Sequence, residues 1–131
     1  MTAKIIDGKA LARQLRQKFR RHAEQLRQKG IVPGLANVDP RGYVRLYDHA
    51  RAGRWSEARA EQERLISLFQ MVFFAAQDLS AGASGVGSFK TALKLMGLAR
   101  SHHMARPNRP LPPAAVERVR QHLVAHGLLA A

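Results

Sequence analysis

The chain has 131 residues, 46% of them apolar, and carries a formal charge of +13 from 22 Lys and Arg against 9 Asp and Glu. That size and composition predict one globular domain with a single core. The absence of cysteine excludes disulfides, thiolate chemistry and cysteine-ligated zinc. No apolar run approaches the roughly 20 residues that cross a bilayer. The opening MTAKIIDGK lacks the apolar stretch of a secretory signal, so a cytoplasmic protein is expected. Nine basic residues stand against Asp7 and Glu24 in positions 1–29, which makes that segment the most cationic of the chain. Such a balance favours polyanionic partners; an arginine-rich coding bias on solvated faces is the plainer reading.

Residues 1–7 form a short start. From Lys9 to Lys29 the spacing is helical: Leu11, Leu15, Phe19, His22 and Leu26 share one face, and Arg13, Arg16, Arg20 and Arg27 line the other. Gly30 sits where a helix ends. Positions 30–39 read as a linker or a very short strand, with a turn at Pro33-Gly34. Asp39 followed by Pro40 predicts a helix start, and a helix over 40–52 would place Tyr43, Val44 and Tyr47 inward and stop at Gly53. Residues 55–77 contain no Gly and no Pro, which predicts one long central helix, apolar nearly all round in its second half, with an Arg59–Glu63 pair on its polar half. Positions 80–88, SAGASGVGS, read as a flexible loop, with Ser88 capping a short helix over 89–96 that Gly97 closes. Residues 98–113 read as irregular. A final helix over 113–126 puts Val116, Val119 and Leu123 on one face before Gly127. The fold class expected is all-α: about five helices in an irregular bundle around the helix 55–77, as one domain over 1–131.

No complete catalytic constellation emerges. The glycines at 82, 85 and 87 suggest a phosphate loop, but Lys90-Thr91 come two residues too late for the lysine that such a loop requires, and no strand precedes them. His122 and His126 have the spacing of two zinc ligands on a helix, without the intervening glutamate of a metalloprotease. His102-His103 read as solvated loop residues. No metal and no cofactor is expected. The arginine stripe at 13, 16, 20 and 27 has no interleaved aromatics, so it would bind phosphates without reading bases.

Two stretches carry resemblances. PGLANVDP (33–40), LYDHARAGRWSEARAEQERL (46–65), FKTALKLMGL (89–98), RPNRPLPP (106–113) and VRQHLVAHGLL (119–129) together resemble the C-terminal region of the dihydrodipicolinate synthase/N-acetylneuraminate lyase family. That resemblance spans residues ~30–131 and implies the helical region that follows the last barrel strand. It also implies that the Schiff-base lysine, the tyrosine proton shuttle and the carboxylate-binding threonines belong to barrel strands outside this stretch, so Lys90 and Lys94 are tail lysines. AKIIDGKALARQLR and the basic helix after it resemble the N-terminus of bifunctional methylenetetrahydrofolate dehydrogenase/cyclohydrolase over residues ~1–36. The catalytic Tyr-x-x-x-Lys of that family has no counterpart: Tyr43 is followed by Tyr47 where lysine is required. The two resemblances meet at Pro33–Ala36, as in a chimera.

The expectation is therefore a non-catalytic helical protein-interaction module, of inhibitor or regulator type. Tyr43, Leu68, Phe73 and Phe74 would form its partner surface or a self-association surface. One alternative is sequence-independent nucleic-acid binding through Arg13, Arg16, Arg20 and Arg27. The other is a recombined or truncated fragment without a function of its own.

Overall fold

The structure, a computed structural model, describes residues 33–130. The basic helix expected over 9–29 lies outside them. Among the described residues the fold is all-α and contains no strand. A 3-10 turn, Gly34–Asn37, leads into α1 (Pro40–Arg51), α2 (Trp55–Phe69), a second 3-10 turn at Gln70–Phe73, α3 (Ala81–Leu95) and α4 (Pro113–Ala125).

The start of α1 follows its sequence. Asp39 Oδ1 accepts the Gly42 N–H at 2.9 Å, with Pro40 in the first turn, where no partner for an N–H is needed. Gly53 closes the helix at φ 71°. Gly97 and Gly127, at φ 75° and 67°, do the same for α3 and α4. The inward face of α1 differs from the expected one. Gly42 is buried, while Val44 and Tyr47 are 59% and 64% exposed. The reason is close approach: a Cβ on Gly42 would overlap the Arg64 guanidinium and stand 2.9 Å from Leu65 Cδ2. Pairing α1 to α2 through its glycine turns the neighbouring Val44 outward.

The long central helix ends earlier than expected. Its α-helical part stops at Phe69, and Gln70–Phe73 tighten into the 3-10 turn. The stretch expected to be a loop is instead the first half of α3. Ser80 caps it, accepting the Ala83 N–H at 3.3 Å, and Ala83, Ser84, Gly87 and Ser88 are buried against the 3-10 turn. Small residues permit that approach: a Cβ on Gly87 would overlap Leu111 Cδ1. Burial against neighbours overrides the poor helix propensity of Gly and Ser.

Leu35, Val38, Leu65, Leu68, Met71 and Val72 form the core with Leu111, Val119 and Leu123. Of the face expected on α4, Val119 and Leu123 are fully buried and Val116 packs at the edge.

Candidate functional site

Three groupings of polar or exposed side chains stand out. The first is ionic and joins α1 to α2. The Arg64 guanidinium donates to Asp39 Oδ2 and, at 2.7 Å, to Glu61 Oε1, which Arg45 also reaches at 2.9 Å. Burial alone would push the Asp39 carboxyl up; the hydrogen bonds from Arg64 and the Gly42 N–H, with the charges of Arg64 and Arg45, outweigh it and hold it below the usual carboxylate range. Glu61 is held low chiefly by the Arg64 hydrogen bond. These pairs, with Arg45–Asp39 at 3.9 Å and Arg120–Glu117, are the ion pairs among the described residues, and Arg59–Glu63 is not one of them. Every charge in the network has an opposite partner, which describes a fastening rather than a reacting centre.

The second grouping surrounds the C-terminal end of α2, where a helix leaves carbonyls without partners. Ser88 Oγ donates to Met71 O at 2.8 Å and Ser84 Oγ to Val72 O at 2.5 Å. His122 Nε2 lies 3.1 Å from Ser67 O and 3.3 Å from Leu68 O, so that nitrogen carries the proton. Burial, then the charge of His126, depress the His122 pKa against those hydrogen bonds. His126 donates from Nδ1 to His122 O at 2.8 Å and accepts from Ser67 Oγ at 3.0 Å through Nε2. A serine, a histidine and an orienting acceptor are the parts of a nucleophile dyad. The nearest cleft, about 300 Å³, is lined by Phe74, Arg118, Gln121, His122 and Ala125 and does not include Ser67. The arrangement ties the end of α2 to α4. Both histidines being engaged in these bonds also removes the zinc spacing as a signal, and no cluster of three His, Asp or Glu suited to a metal occurs among the described residues.

The third grouping is apolar. Ile66, Phe69 and Phe73 are 52%, 41% and 59% exposed along one side of α2 and its 3-10 extension. The Phe69 ring meets Phe73 edge-on at 6.4 Å and Phe89 of α3 at 6.2 Å. Val86, one turn before Phe89, is half exposed and continues the ridge. From Leu65 to Gln77 the sequence has no charged residue.

The residues expected at a partner surface fare unequally. Phe73 is on the ridge. Leu68 is fully buried and belongs to the core rather than to an exposed surface, a correction that follows from its packing in the central apolar cluster. Phe74 is half-buried, with Arg118 4.5 Å above its ring and His122 against its edge. Tyr43 is half-buried beside Asp39, and burial followed by that carboxylate raises its pKa. Arg13, Arg16, Arg20 and Arg27 lie outside the described residues. Sequence reasoning missed Ile66, Phe69 and Val86; the i, i+3, i+7 spacing of 66, 69 and 73 is the signal that could have found them.

An all-α arrangement among residues 33–130 contains no barrel strand there. No family model matches the chain. It is similar to the 4-hydroxy-tetrahydrodipicolinate synthase of Sodalis glossinidius (strain morsitans), 32% identical over 105 residues, which are 80% of this chain and 33% of the synthase. It is also similar to the bifunctional protein FolD of Polaromonas sp. (strain JS666 / ATCC BAA-500), 60% identical over 38 residues, 29% of this chain and 14% of that protein. FolD of Dechloromonas aromatica (strain RCB) is 63% identical over 38 residues, 29% of this chain and 13% of its own length. Both resemblances read from the sequence therefore stand, and the chain spans about a third of the synthase and a seventh or less of the FolD proteins.

Proposed function

We propose that this chain is a non-catalytic helical docking module whose ridge of Ile66, Phe69, Phe73 and Val86 receives an apolar segment of a protein partner with acidic flanks. The observation that carries the reading is an uncharged, half-exposed aromatic ridge on a chain of net charge +13. An apolar ridge excludes water on contact and supplies the affinity. The net positive charge of the chain favours partners of opposite sign and disfavours a second copy. The charged network at α1–α2 and the Ser67–His126 bond serve as fastenings in this reading, and neither the synthase nor the FolD activity is assigned to the chain.

The test uses a synthetic amphipathic peptide with Leu at i, i+3, i+4 and i+7 and Glu elsewhere, beside its counterpart with Lys for Glu. The Glu peptide should bind, the Lys peptide should not, and the double variant I66S/F73S should lose about tenfold or more in affinity, as for two anchors worth over ~1 kcal/mol each. Equal binding by the double variant overturns the proposal. A dimer in sedimentation that I66S/F73S dissolves would make a second copy the occupant instead. Borohydride treatment in the presence of pyruvate should trap no adduct; a covalent adduct would refute the non-catalytic reading.

A further inference from the structure

A second surface differs from the ridge in chemistry and position. From Leu79 to Val116 the sequence contains no Asp or Glu, yet it carries Lys90, Lys94, Arg100, Arg106 and Arg109 with His102 and His103. The structure gathers part of this set. Lys90 Nζ donates to His103 O at 2.8 Å, which holds the loop after α3 alongside the helix. Lys94 lies one turn further along the same side, about 6 Å along the axis. His102 is close enough to Lys94 and His103 for their charges to depress its pKa, after burial, and its Nδ1 is buried without a hydrogen-bond partner. None of Lys90, Lys94 and Arg100 is in an ion pair among the described residues, whereas Arg45 and Arg64 both are. Gathered like charges without acids raise the local potential and attract polyanions.

We infer that the α3 side bearing Lys90 and Lys94, together with Arg100 and His103 of the following loop, binds the phosphate backbone of duplex nucleic acid without reading its sequence. A duplex presents one charge per about 1.7 Å of axis, so cations a helical turn apart meet phosphates in any register. Carboxylates on a protein would have to match that spacing specifically. The surface has no exposed Phe, Tyr or Trp on which an unpaired base could stack. Leu98 and Val86, one turn before Lys90, are the exposed large apolar residues near it, too little to seat the surface in a lipid interface, which needs a whole apolar helix face.

Fluorescence anisotropy of the full chain on a 30-bp duplex of arbitrary sequence, titrated across salt concentrations, tests this. The variant K90Q/K94Q/R100Q should flatten the slope of log affinity against log salt by about 2–3, at roughly 0.9 per phosphate contact. K94Q/R100Q, which keeps the Lys90–His103 bond, should flatten it by about 1–2, so loop disruption is separable from lost contacts. An unchanged slope in both variants overturns the inference, as does tighter binding to polyglutamate or to anionic phospholipid vesicles than to the duplex. R13Q/R16Q/R20Q/R27Q, measured in parallel, reports any contribution of the N-terminal stripe separately. I66S/F73S should leave the slope unaltered, so failure of the ridge proposal and failure of this one are distinguishable.

Discussion

At its N-terminal half α2 is joined to α1 through charge: Arg64 and Arg45 bridge Asp39 and Glu61 across the helix pair. At its C-terminal end the same helix is joined to α3 and α4 through neutral groups, with Ser88, Ser84 and His122 donating to the carbonyls of Met71, Val72, Ser67 and Leu68. The first junction is wetted at its edge, where the Arg45 side chain is half exposed although Asp39 is buried, while Ser84 and Ser88 are fully buried. Charges at a wet junction attract weakly and are screened. A hydroxyl in a dry one contributes little net energy when satisfied, but removing that of Ser84 leaves the Val72 carbonyl without its hydrogen bond. The same helix thus depends on two different solvents, and each junction should fail under its own conditions.

Four measurements break or sharpen that contrast. The largest effect is expected from S84A/S88A: S84A orphans the buried Val72 carbonyl at a cost of about 1–3 kcal/mol in urea unfolding, whereas S88A leaves Met71 O its bond from the Phe74 N–H and should cost less. S84A should be the worse single change, because Ser84 Oγ also accepts the Ala75 N–H. A double variant within ~0.5 kcal/mol of the parent would mean that water replaces the hydroxyls and that the junction is not dry.

Next comes D39A, which removes the α1 cap together with the Arg64 partner and should cost about 0.5–2 kcal/mol. D39N, which retains a capping oxygen, should cost less. Equal losses for the two would show that the charge dominates the cap.

Acid should separate the junctions by pH. The folded His122 pKa lies below its ordinary value, so the folded state takes up the proton less readily than the unfolded one. Stability from this group is complete above the unfolded value of about 6.5 and declines as pH falls through it, until the folded pKa is reached. Asp39 and Glu61, both depressed, contribute above their unfolded values and lose that contribution as pH falls through the folded ones. Two successive losses are expected on acidification, and H122Q should shrink the first, leaving the part that belongs to His102, whose pKa is also depressed, and should leave the second unchanged. A single loss confined to the carboxylate range in the parent would contradict the histidine assignment.

The smallest effect belongs to salt. R45A should cost about 0.2–1 kcal/mol at low ionic strength and less in 1 M salt, where the screening length falls to about 3 Å. The cost of S88A should not depend on salt. Parallel salt responses would dissolve the distinction.

Much of the charged junction was legible in the sequence. Asp39-Pro40 and Gly53 mark α1, and Gly97 and Gly127 mark the later helix ends, because caps are local chemistry. The neutral junction was not. A run such as SAGASGVGS has the propensity of a loop; only packing against Met71 and Val72 makes it helical, and that packing joins residues 12 and 17 apart in sequence. The same contact explains why a stretch free of Gly and Pro did not remain one helix to Gln77. Leu68 shows the limit for surface residues: the apolar run 65–74 told that several sides are covered, but which side faces α4 depends on helices placed far along the chain. The ridge residues Ile66 and Phe69 were obscured for the same reason.

The serine bonds also set what can open independently. Ser84 and Ser88 are part of α3, while their acceptors lie in the 3-10 extension of α2, so separating the two breaks both bonds at once. Amide protons over residues 65–72 and 84–92 should therefore exchange with deuterium through one shared opening, with a common free energy and a common denaturant slope. The amides of α1, bound to α2 through screened charge, should exchange from a separate and lower-energy opening.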